Sequence, residues 1–152
     1  MIAPQLASFL EEGIGIHLGS RNADLEPNGT RAVAAKADRD GAHLLVYVPV
    51  SSVGRVLPDL QANGQAAVLF GRPIDDRSVQ VKGTFVDVRD GRDDERPLVL
   101  TQWDGYLHNL GLIGIPREIY NRWPTWPVAA IRLRVTALFE QTPGPGAGAP
   151  IP

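Results

Sequence analysis

Two cations five residues apart, Arg31 and Lys36, bracket a run containing Ala32, Ala34 and Ala35. On an extended strand they stand about 17 Å apart, the span of an elongated ligand with an anionic end and a flat, mostly apolar end. The small side chains between them leave a backbone edge that a flat ring can approach. An odd spacing sends the two cations to opposite faces of a regular strand, so a bulge, a strand end or a second subunit must reconcile them. Further on, Ser51 and Ser52 precede the apolar-periodic residues Val53, Val56, Leu57 and Leu60, the pattern of a helix N-cap. Arg55 follows one turn later. Free N–H groups at a helix start, hydroxyls and a guanidinium together suit a phosphate. Ser78 and Gln80, two apart, lie on one face of a later strand, and Lys82 continues it.

Other chemistries find less support. The chain has no cysteine, which excludes a disulfide scaffold, a thiolate metal site and a cysteine nucleophile. The three histidines, His17, His43 and His108, are far apart in sequence with no carboxylate at ligand spacing, so no metal site is expected. Phosphate-loop, zinc-protease and serine-hydrolase motifs are absent. For proton transfer, Tyr106 and His108 are the candidates. The net charge of −2 provides no basic footprint for nucleic acid. The longest apolar run, Leu44 to Val50, is too short to span a bilayer, and no signal peptide is evident. The expectation is a soluble, cytoplasmic protein with a small-molecule substrate.

The elements that must position these residues are mostly strands. A helix is expected over Pro4–Glu12, then strands at Ile14–Leu18, Thr30–Ala37, His43–Val48, Ala66–Phe70, Ser78–Val88 and Val128–Phe139. Ser20 to Gly29 reads as a turn. Pro58 should break the segment after Ser52 into two short helical pieces. Leu98–Trp103 and Ile115–Trp123 read as short helices around a glycine-rich joint. The large aromatics Trp103, Tyr106, Tyr120, Trp123 and Trp126 gather after residue 100, as core or as one side of a ligand site or subunit interface. The strands come as hairpin-connected pairs, which predicts a mainly β fold, a six-stranded antiparallel barrel with helices plugging its ends. One domain covers residues 1–142, and 143–152 form a Gly/Pro-rich tail.

The order of four segments resembles the flavin-binding split barrels of the pyridoxamine 5′-phosphate oxidase family. They are the strand Arg31 to Lys36, the stretch Val46 to Arg55, the run Asn63-Gly-Gln-Ala-Ala-Val-Leu-Phe70, and Arg77-Ser-Val-Gln-Val-Lys-Gly83. The resemblance implies a split barrel and an FMN cofactor. It places Arg31, Val33, Lys36, Val50, Ser51, Ser52, Arg55, Ser78 and Gln80 at that cofactor. It also implies a homodimer with the flavin in the groove between subunits, and a flavin-dependent oxidoreductase of unassigned substrate. The chain lacks the family's Arg-x-His substrate motif, having Arg132-Leu-Arg134 and no histidine after His108. Two alternatives stay open: a non-enzymatic dimer that binds flavin or haem, and a deazaflavin-dependent reductase.

Overall fold

The computed structural model describes residues 1–152. Its elements run α1 (Pro4–Leu10), β1 (Gly15–Arg21), β2 (Pro27–Ala32), β3 (Ala34–Ala37), β4 (His43–Pro49), α2 (Val56–Asn63), β5 (Gln65–Gly71), β6 (Ser78–Asp90), α3 (Arg96–Leu112) and β7 (Val128–Glu140). Single 3-10 turns occupy Val50–Ser52, Asp93–Glu95 and Arg117–Tyr120. Every strand pairing is antiparallel, in the order β2-β1-β5-β6-β7-β4-β3. The sheet curls into a half-barrel.

There are seven strands, not six, and the ladder does not close. The expected strand Thr30–Ala37 is divided at Val33, whose N–H donates to the Tyr47 carbonyl at 2.9 Å. Its first half pairs with β1 and its second half with β4. The two edges of the sheet are thus one continuous piece of chain that turns a corner. This break is also what separates Arg31 from Lys36. The expected turn after Ser20 is shorter than its composition suggests, because Pro27, Asn28 and Gly29 already belong to the edge strand β2. A proline at the first position of an edge strand costs no ladder bond.

Alternation along the strands builds the core. Ile16, Leu18, Val46, Val68, Phe70, Val81, Ile131 and Leu133 are buried on the concave face. Each such side chain contributes about 1.5–3 kcal/mol of burial. A second cluster lies on the opposite face, where Val33, Ala34, Tyr47 and Ala130 meet Val99, Trp103, Tyr106, Leu107 and Leu110 of α3.

Two helices differ from expectation for local reasons. Pro58 does not break α2, because it falls in the first turn, where its missing N–H has no helical acceptor to lose. The residue at the head of α2 is Arg55, and no side chain caps it. Ser51 and Ser52 belong to the preceding 3-10 turn instead. Helix α3 runs 17 residues, straight through Gly105. A Cβ on Gly105 would lie 3.1 Å from the Glu12 carbonyl, so the glycine lets the helix sit close against the chain entering β1. The segment 143–152 is mostly exposed but doubles back on β7, with Pro150 bridged to Phe139 and the Ile151 N–H on the Leu138 carbonyl.

Candidate functional site

The strand register assembles one row of side chains on the convex face. Arg31 of β2 stands opposite His17 of β1, His17 opposite Leu69 of β5, and Leu69 opposite Gln80 of β6. The next row is Gly29, Gly19, Ala67 and Lys82. Apart from Lys82, these rows line an open cleft of about 420 Å³, with Arg31, His17 and Gln80 around a floor of Gly29, Gly19 and Ala67. A second hollow of about 490 Å³ shares Gly19 and Ala67 with it and continues toward Arg21, Asn28, Gln65 and Thr84.

The paired glycines are not there for the backbone. Neither Gly19 nor Gly29 has a positive φ. A Cβ on Gly19 would find its nearest neighbour at 3.6 Å, and one on Gly29 at 3.7 Å, which is ordinary contact. Glycine inside a strand weakens it by roughly 0.5–1 kcal/mol relative to alanine. Bare backbone on an outward face fits the close approach of something flat above it.

Arg31 is half-buried at one end of the cleft. Its guanidinium carbon lies 5.2 Å from the centre of the Tyr106 ring and 5.8 Å from that of Trp123. Its Nη1 donates to the Tyr106 hydroxyl at 2.6 Å. Tyr106 and Trp123 belong to a tilted and stacked aromatic group with Trp103 and Tyr120. Burial pushes the Tyr106 phenol up, partly opposed by Arg31. His17 is held below the usual histidine range, first by burial and then by the charge of Arg31. No carboxylate lines the cleft.

Of the residues expected at a cofactor, Arg31 and Gln80 meet here. The others are placed as follows. Val33 is buried at the corner between β2 and β3, under α3. Lys36 faces a different hollow, formed with Leu45, Asp87, Arg89, Glu95 and Arg132 on the far half of the sheet. Val50, Ser51 and Arg55 are exposed, and Ser52 is half-buried. The Thr30 hydroxyl donates to the Ser52 carbonyl at 2.7 Å, which holds this turn against the edge strand that carries Arg31. Ser78 donates its hydroxyl to the Asp76 carbonyl at 2.8 Å. Ala32, Ala34 and Ala35 do not form an open edge: all three are buried. Gln102 of α3 accepts the Ala35 N–H at 3.0 Å and donates to its carbonyl at 2.8 Å, taking the place expected for a ring. His108 is exposed on α3 and lines no cleft.

Sequence reasoning missed His17 and the glycine floor. The signal was present, since His17 alternates with the core residues Ile16 and Leu18 and is flanked by Gly15 and Gly19 on its own face. It also missed that the β3–β4 turn brings donor atoms of Asp38, Asp40 and His43 within 4.8 Å of one another. Asp38 and His43 flank the turn at 3.7 Å.

No protein-family model matches the chain, and no curated protein matches it by sequence. Solved structures do match its fold. HupZ of Group A Streptococcus is 15% identical, with a TM-score of 0.59 over 97% of this chain and 100% of that one. An F420 reductase is 20% identical, with a TM-score of 0.55 over 86% of this chain and 93% of that one. An FMN-binding protein of Syntrophomonas wolfei is 11% identical, with a TM-score of 0.53 over 88% of this chain and 81% of that one. The chain shares with these proteins the mainly antiparallel, split-barrel fold, here in an open seven-stranded form.

Proposed function

We propose that the protein binds a flavin, FMN first among them, in the convex-face cleft, and uses it as an oxidoreductase acting on a small molecule. The observation that carries this reading is the meeting of Arg31 and Gln80. They come from two motifs far apart in the sequence and converge on one carboxylate-free cleft with a bare backbone floor. The residues fit the chemistry of the group. A half-buried guanidinium suits an anionic end, and Gly19, Gly29, Ala67 and Leu69 offer a flat, largely apolar surface. Gln80 can both donate to and accept from a heterocycle edge. Ser51, Ser52 and Arg55 would supply further donors at the rim of β2. When bound, the flavin supplies the electron transfer, while the protein binds and orients it.

The fold likeness to a protein described as FMN-binding supports the same reading. A deazaflavin is the second reading, favoured by the likeness to an F420 reductase. The homodimer that the sequence resemblance implies is part of the proposal, and sedimentation of the purified chain tests it. The cofactor is tested by titrating the protein with FMN, riboflavin and a deazaflavin and following fluorescence. FMN should be quenched on binding, and Arg31→Ala should weaken it by about tenfold or more. An unchanged dissociation constant in that variant counts against the site.

A further inference from the structure

The two polar groups that face each other across β1 and β2 both lack a counter-charge. Arg72, Arg89, Arg117 and Arg132 each pair with a carboxylate. Arg31 does not: its one side-chain hydrogen bond goes to the neutral Tyr106 hydroxyl, and a guanidinium has five N–H donors. His17, directly opposite, is shifted by burial and by Arg31 alone, with no hydrogen bond contributing. A half-buried cation beside an imidazole, with no anion in the lining, is an arrangement that an arriving anion completes.

We propose that His17 is a ligand-contacting residue of this cleft, which together with Arg31 receives an anionic group, a phosphate or carboxylate borne on a flat body, and takes up a proton as that anion arrives. The charged and titratable groups around it are few. Arg31 lies opposite on β2. Tyr106 stands behind the guanidinium, with Tyr120 packed against it. Beside His17 β5 offers only Leu69 and Ala67, and Lys82 of β6 is one row further on. All the fixed charge near His17 is therefore positive and keeps the free imidazole neutral. An anion seated on Arg31 reverses that balance and favours the imidazolium. Affinity for the anion then rises as pH falls through the interval between the free and bound titration midpoints of His17. The inference rests on the flavin reading only for the flat body, not for the anion.

The test is the imidazole titration of the intact chain followed by NMR, alone and with inorganic phosphate, riboflavin or FMN. FMN is expected to raise the His17 midpoint by about one unit. Riboflavin, which lacks the phosphate, should leave His17 unmoved. The variant His17→Gln, on the outward face of β1 and away from the core cluster, should bind FMN a few-fold more weakly than wild type at pH 6, approaching but not exceeding about tenfold at lower pH, and nearly equally at pH 8. Bound FMN that leaves the His17 midpoint unchanged overturns the proposal, as does a His17→Gln variant with the wild-type pH profile. If FMN does not bind but inorganic phosphate still raises the midpoint, the anion seat stands and the flavin reading falls. If no anion moves it, the seat falls.

Discussion

At the scale of single residues, a carboxylate with three partners lies away from the cleft and ties the start of α3 to the sheet. Glu95, whose side chain is only 10% exposed, accepts from the Tyr47 hydroxyl at 2.9 Å and from Arg89 at 2.6 and 2.8 Å. It also accepts the Arg92 N–H at 2.9 Å, closing the turn that opens the helix. The hydrogen bonds of Arg89, ahead of the other contacts, pull its carboxyl down from 4.5 to about 2. A folded pKa below the unfolded one means stability that is complete above pH 4.5 and is lost as pH falls toward 2. The contribution is on the order of 2–3 kcal/mol. Urea unfolding of Glu95→Gln should show a loss of that size at pH 7, a smaller one at pH 3, and near-parity with wild type only at about pH 2 or below. Parallel losses at both pH values would mean that the carboxylate charge is not what matters. No sequence pattern singles out Glu95, because its partners Tyr47 and Arg89 arrive from two different strands.

At the scale of elements, the cleft depends on strands β1 and β2 being bare where they face each other. Gly29 has an ordinary backbone conformation, and a Cβ there would make only an ordinary contact, 3.7 Å from the Leu18 carbonyl oxygen. Gly29→Val should therefore leave thermal stability unchanged or raise it by up to about 1 kcal/mol, since β-branched residues favour strands. The same variant should lose FMN quenching by tenfold or more, because its side chain stands on the floor of the cleft. A stable variant with full affinity would show that the floor is not used. Most strands were legible because their inner faces repeat every second residue. The glycines were harder, since Gly29 reads as turn composition until β1 is known to pair with it. Helix α3 reads too short for the opposite reason: the glycine-rich stretch between Trp103 and Ile115 looks like a joint, whereas its first glycine, Gly105, permits close packing against Glu12 and Gly13. The alanine run shows a third limit. Small residues fit a ligand and a neighbouring helix equally well, and here Gln102 of α3 takes the backbone edge at Ala35.

At the scale of the whole molecule, the question is what guards the edges of an open sheet. The β2 and β3 edges are joined through Val33, and the Val50–Ser52 turn leans on β2. The odd spacing of Arg31 and Lys36 allows a strand end between them, but which strands the two halves join is not a local signal, since it depends on β5 inserting between β1 and β6. Strand β7 has a further exposed stretch. β4 pairs with it only from Val128 to Arg134, while β6 continues alongside to Glu140. The Ala42 carbonyl takes the Val135 N–H, and the segment after Thr142 covers the remainder. It does so with three backbone bonds, from Glu140 to Ala149, from Gly148 to Glu140 and from Ile151 to Leu138, and with Ile151 packed on the core. The Gly/Pro composition that marks a tail is thus also what lets the chain double back. Bonds of this kind contribute about 1 kcal/mol each at most times, and an uncovered edge is a template for pairing with another chain. Removing residues 143–152 should lower stability by about 1–3 kcal/mol, a fall of roughly 2–10 °C in Tm for a domain of this size, and should bring concentration-dependent aggregation. FMN affinity should change less than twofold, since the segment covers the side of β7 away from β6 and Gln80. Calorimetry and light scattering on the truncated chain, beside the fluorescence titration, separate these effects. A truncation that abolishes FMN binding while leaving Tm unchanged would place the ligand on this edge instead of in the cleft.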